Sequence, residues 1–105
     1  MIALVFRYEV REPQTFERAY GANGDWAAFF RQGTGYIGTE LLHDLEEPER
    51  YLVIDRWESA DAYNAFLDEH QAEYLRRADE ARLHYLQELL FGTFENVWDE
   101  DPTAP

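Results

Sequence analysis

The sequence predicts an α+β domain with the element order β-α-β-β-α-β, on three observations. Ile2–Val10 alternates with a period of two, setting Ile2, Leu4, Phe6, Tyr8 and Val10 on one face and Ala3, Val5, Arg7 and Glu9 on the other. Two further runs rich in β-branched and aromatic residues, Tyr36–Asp44 and Arg50–Glu58, are joined by a short charged loop containing Pro48. Stretches at helical spacing lie between the first strand and this pair, and again after it. That order is the ferredoxin-like arrangement, a four-stranded antiparallel sheet with its helices on one face.

Each element has its own start and stop signals. Arg11-Glu12-Pro13 ends the first strand, because proline lacks the N–H a ladder needs. Gln14–Tyr20 follows as a short helix with Phe16, Ala19 and Tyr20 on one side, and Asn23-Gly24 breaks it. Asp25 caps a second piece, Trp26–Gln32, which offers Trp26, Phe29 and Phe30 to a core. Gly33 and Gly35 stop that helix. Ser59 is a good N-cap for the next one, and Asp61 suits the positive end of its dipole. Tyr63, Phe66, Leu67, His70 and Tyr74 then fall on one stripe, and the helical pattern runs to about Leu83. Leu86–Leu90 adds another turn before Gly92, and Phe91–Trp98 reads as the fourth strand. The domain therefore spans residues 1–98, and residues 99–105 form an acidic, solvated tail.

The run Tyr51–Trp57 is apolar on both faces until Asp55, the pattern of a central strand covered on both sides. Helices cover only one face of a ferredoxin-like sheet, so the Leu52/Ile54 or Val53/Trp57 set is left bare. A second copy packed face to face would cover it, and a twofold homodimer through the sheet faces is expected.

Composition excludes several functions. The chain has 105 residues, 46% hydrophobic, with no cysteine, so disulfides, thiolate metal sites and a cysteine nucleophile are ruled out. Nine basic residues against 22 acidic ones, a net charge of −13, would repel a phosphate backbone or an anionic bilayer. Neither nucleic acid nor membrane is an expected partner. No signal peptide or spanning segment is visible, which makes cytoplasmic the expected location. The histidines at 43, 70 and 84 have no metal-ligand spacing, and Gly33-Thr-Gly35 precedes a strand rather than a helix. Neither a metal nor a phosphate cradle is expected.

Gly35-Tyr-Ile-Gly-Thr-Glu-Leu-Leu42, Arg50-Tyr-Leu-Val-Ile-Asp-Arg-Trp-Glu-Ser59, Ala62-Tyr63, Phe66 and the closing Gly92-Thr-Phe-Glu95 together resemble the antibiotic biosynthesis monooxygenase (ABM) family of the dimeric α/β-barrel superfamily. The resemblance implies a ferredoxin-like protomer, a sheet-to-sheet homodimer, and a pocket between sheet and helices that takes a small molecule. It also implies oxygenation of a small aromatic or enolic compound with no cofactor. Trp57, Tyr63 and Arg77 resemble three residues of the quinone-forming branch, whose asparagine position holds Val53 here. In the haem-degrading branch an asparagine lies on the first strand, a tryptophan in the second helix and a histidine further on. This chain has Arg7 and Tyr8 on that strand, then Phe66 and Arg76, so haem degradation is not the expected reaction.

Oxygenation of this kind needs a base to ionise the substrate and donors to hold the anion. His70 is the first candidate base, on the stripe of Tyr63, Phe66 and Tyr74; a histidine bonded to a neighbour is the competing reading. Arg7 and Arg56 are candidates to steady an anion, or else partners of Glu9, Glu40 or Asp55 across the sheet. Trp57, Tyr63 and Phe66 are pocket walls or plain core, and Tyr36 and Tyr51 are candidate phenol donors on the same terms. The enzyme therefore stands against a non-catalytic dimeric ligand-binding or accessory protein, which Val53 favours, and a structural dimer whose own aromatics fill the pocket.

Overall fold

The computed structural model describes residues 1–97. The strands are β1 (Ile2–Val10), β2 (Tyr36–His43), β3 (Arg50–Trp57) and β4 (Tyr85–Glu95), and the helices α1 (Pro13–Tyr20), α2 (Asp25–Phe30), α3 (Ala60–Glu69) and α4 (Gln71–Ala81). A 3-10 turn, Arg82–His84, leads from α4 into β4. The sheet order is β2-β3-β1-β4 with every pair antiparallel, the ferredoxin-like topology. β3 is an interior strand, as its two apolar faces require.

Local chemistry sets these boundaries. Pro13 both closes β1 and opens α1, where its missing N–H costs nothing. Ser59 caps α3 by accepting from the Ala62 N–H at 3.1 Å. Gly35 sits at φ 98, a conformation few side chains adopt, and a Cβ there would come within 2.8 Å of the Ala62 Cβ. Its carbonyl accepts from the Glu58 N–H at 2.7 Å and so ties the start of β2 to the end of β3.

The fourth strand departs from expectation. Leu86, Leu89 and Leu90 have helical spacing, yet they lie in β4, which begins at Tyr85. β1 is interior and needs a hydrogen-bonding partner on both edges along its whole length. β4 supplies it from Val10↔Tyr85 to Ile2↔Glu95, with bulges that absorb the irregular spacing. The helical pattern likewise divides at His70 into α3 and α4. Trp98 and the acidic tail lie outside the described residues.

Register assigns the faces. Tyr8, Tyr51 and Val53 pack under the helices, whereas Arg7, Leu52, Leu42 and Leu89 share a row on the far face. Val5 pairs with Ile54, and Ala3 with Arg56 and Phe94, on that same face. Leu42 is 45% exposed, Leu89 41% and Phe94 54%, so the face opposite the helices is apolar and uncovered in the single chain. Beneath the helices the core falls into two clusters. One is built on Tyr8, Phe16, Tyr20 and Tyr51, the other on Phe29, Phe30, Trp57 and Phe66.

Candidate active site

Phe6 and Trp26 flank both core clusters, and where the clusters meet they enclose a cavity of about 90 Å³. Its walls are rings from β1, α1, α2, α3, α4 and β4: Tyr8, Tyr20, Phe30, Tyr63, Tyr74 and Tyr85 join Phe6 and Trp26. Space remains because the residues facing these rings are small: Val53, Thr39 and Ala78. Large aromatics cannot close over such short side chains without leaving a void.

Two carboxyl groups line this aromatic space, Asp55 and Glu88. Asp55 stands in the helix-facing row of β3, between Val53 and Trp57, and faces Thr39 in the register of β2. Thr39 donates to Asp55 Oδ1 at 2.7 Å, which leaves its oxygen to accept from the Tyr36 hydroxyl at 2.6 Å. Burial pushes the Asp55 carboxyl up to about 6, against the opposing pull of the Thr39 bond. On the β4 side, the Tyr8 hydroxyl donates to Glu88 Oε2 at 2.5 Å. Burial, reinforced by neighbouring acidic groups, raises the phenols of Tyr8, Tyr20, Tyr63, Tyr74 and Tyr85 above the ordinary tyrosine value. These five phenols therefore stay protonated and act as hydrogen-bond donors.

The structure distributes the sequence candidates unevenly. Tyr63 lines the cavity. Trp57, fully buried, forms an adjoining wall, with ring centroids 5.5 Å from Tyr63 and 5.3 Å from both Tyr36 and Phe66. Its indole Nε1 is buried without a partner. Tyr36 reaches the cavity through Thr39. His70 lies outside the lining, at the junction of α3 and α4, with its ring 4.5 Å from Phe66 and 5.9 Å from Phe29.

The arginines also lie outside it. Arg7 is on the far sheet face, stacked over Phe91 at 5.8 Å, in a separate hollow with Arg50 and Leu52. Arg56 pairs with Glu40 at 3.0 Å on that face. Arg77 bonds Glu73 at 2.8 Å and covers Phe29 from outside at 4.8 Å. Tyr51 lies in the other cluster, donates to Glu17 and stacks on His43 at 4.4 Å.

Asp55, Thr39, Tyr8 and Glu88 were missed by sequence reasoning. Asp55 did carry a signal: it is the one acid in the alternating row Tyr51, Val53, Asp55, Trp57. Glu88 and Tyr8 gave none, because only the β1–β4 register brings them together. Among the described residues no group of histidines and acids could hold a metal ion, and no helix is long and apolar enough to cross a membrane.

Comparison with known proteins agrees with this architecture. No curated protein matches the sequence. A point variant of SnoaB, a cofactor-independent oxygenase from Streptomyces nogalater, superposes with a TM-score of 0.77 at 26% identity, over 92% of this chain and 93% of that one. The structure of SnoaB itself gives 0.69 at 26% identity, over 91% and 95%. MhuD, a heme-degrader from Mycobacterium tuberculosis with two hemes bound in its active site, shares the fold, with a TM-score of 0.67 at 24% identity over 96% and 100%. Residues 1–78 match the family model for antibiotic biosynthesis monooxygenases, and the chain belongs to that family.

Proposed function

We propose that the protein is a cofactor-independent oxygenase of a small phenol or enol, working as a homodimer joined through the apolar sheet faces. The observation that carries the reading is the Asp55 carboxyl, buried in a largely aromatic and phenolic cavity, held by Thr39 and raised to about 6 by that burial. A base in that range both holds its proton vacancy at neutral pH and takes a proton readily. Likeness to SnoaB supports the reaction class.

In this reading Asp55 removes the substrate hydroxyl proton, with Thr39 and Tyr36 fixing the carboxyl in place. The anion passes an electron to dioxygen, and the two recombine at a ring carbon. One oxygen atom enters the substrate as a carbonyl; the other leaves as water with the two hydrogens the substrate loses. Tyr63 and Tyr74 act as donors to the developing anion, and Trp57 forms the wall behind Tyr63. The uncovered row of Leu42, Leu89 and Phe94 supports the dimer.

A haem reaction fits these residues poorly. No histidine lines the cavity, and axial ligation by tyrosine needs a phenolate that the raised tyrosines resist. Val53 favours a second reading, a dimeric protein that binds the same small molecule without oxidising it. Oxygen-electrode assays over a panel of dihydroxyarenes and enols decide between them. The oxygenase predicts uptake that Asp55→Asn abolishes; ligand binding with no uptake by any member leaves only the binding protein.

A further inference from the structure

The charged side chains that line the cavity are of one sign. All nine basic residues of the chain are arginines, and none of them lines it; among the described residues its carboxyl groups are Asp55 and Glu88. Thr39 is a neutral hydroxyl, and among the described residues no cation meets the Asp55 carboxyl. Glu88 lies at the exposed side of the space, and the Tyr8, Tyr20, Tyr74 and Tyr85 rings line the same region. Tyr8 bonds Glu88 and stands with its ring centroid 5.0 Å from Tyr20 and 5.1 Å from Tyr85.

A carboxylate among electron-rich aromatic rings is the surrounding that an organic ammonium seeks, through charge pairing and cation–π attraction together. An anion meets the opposite: two acids and no positive partner. We propose that the cavity selects a phenolic or enolic compound carrying a protonated amine, whose ammonium sits at Glu88 among the tyrosines while its hydroxyl faces Asp55. The inference rests on the oxygenase reading for the role of Asp55, but its ammonium site stands on the Glu88 end alone.

Three phenols of similar size test it: tyramine, 4-ethylphenol and 4-hydroxyphenylacetate, titrated calorimetrically into the whole protein at neutral pH. Tyramine is expected to bind about tenfold more tightly than 4-ethylphenol, and 4-hydroxyphenylacetate more weakly than either. Glu88→Gln, which keeps an acceptor for Tyr8, should bring the tyramine to 4-ethylphenol ratio close to one. Glu88→Lys should reverse the order in favour of 4-hydroxyphenylacetate, and circular dichroism checks that both variants are folded. Equal binding of tyramine and 4-ethylphenol, tighter binding of the anion, or no binding of any of the three overturns the proposal.

Oxygen uptake, measured separately on the same compounds, tells the two readings apart. Amine preference without uptake removes the oxygenase and leaves the ammonium site. Uptake that ignores the amine removes the site and leaves the oxygenase.

Discussion

Thr39 and Asp55 are register partners across β2 and β3, and the threonine hydroxyl donates to the carboxyl at 2.7 Å on the helix-facing side of the sheet. This pair places a titratable group inside an aromatic wall with one neutral hydroxyl to hold it. Burial outweighs that bond, and the carboxyl rises to about 6.

The raised value makes a stability prediction with a definite sign. Native Asp55 holds its proton to higher pH than the unfolded chain does, so its contribution falls as pH climbs through the window between about 4 and about 6. Above that window, burying the ionised carboxylate costs up to about 2 to 3 kcal/mol. Asp55→Asn keeps an acceptor for Thr39 and removes the charge. Urea unfolding should find the variant more stable than wild type above pH 7 and the difference closing towards pH 4. A constant difference across that range would show that Asp55 is not the buried titrating group.

The aromatic wall makes a packing prediction. Phe66 is buried against Phe29, Phe30 and Trp57, and Phe66→Ala should cost about 3 to 5 kcal/mol. Trp57→Ala should cost a similar amount. His70→Ala removes ring contact with Phe66 and Phe29 from outside the cavity, so it should lower the melting temperature by a few degrees. Loss of all oxygen uptake on that substitution, with the fold intact, would point to His70 rather than Asp55 as the base.

Most of this framework was legible in the sequence. Period-two alternation gave β1, the turn residues bracketed β2 and β3, and Pro13 and Ser59 marked helix starts. The start of β4 was not legible, because Leu86, Leu89 and Leu90 match a helical stripe and only the unmet edge of β1 calls them into a strand. The site was half legible. Tyr63 and Trp57 stood out as aromatics at the β3–α3 corner, whereas Glu88 meets Tyr8 across a separation of 80 residues. The arginines at 7 and 56 lie on strands, and alternation sends them to the far sheet face, away from the cavity.

That far face carries the assembly prediction. Leu89 lies there on an edge strand, 41% exposed, so Leu89→Asp disturbs little within one chain but buries a charge in a sheet-to-sheet dimer. Native mass spectrometry should find wild type as a dimer and the variant shifted to monomer, with unchanged circular dichroism. A monomeric wild type would refute the dimer.

The most direct test of the cavity as the working site is a crystal structure of the protein soaked with a dihydroxyarene. Density is expected between Tyr63 and Asp55, with one ligand hydroxyl within hydrogen-bonding distance of the carboxyl. Density confined to the hollow at Arg7 on the opposite sheet face, with the cavity beneath the helices empty, would contradict it.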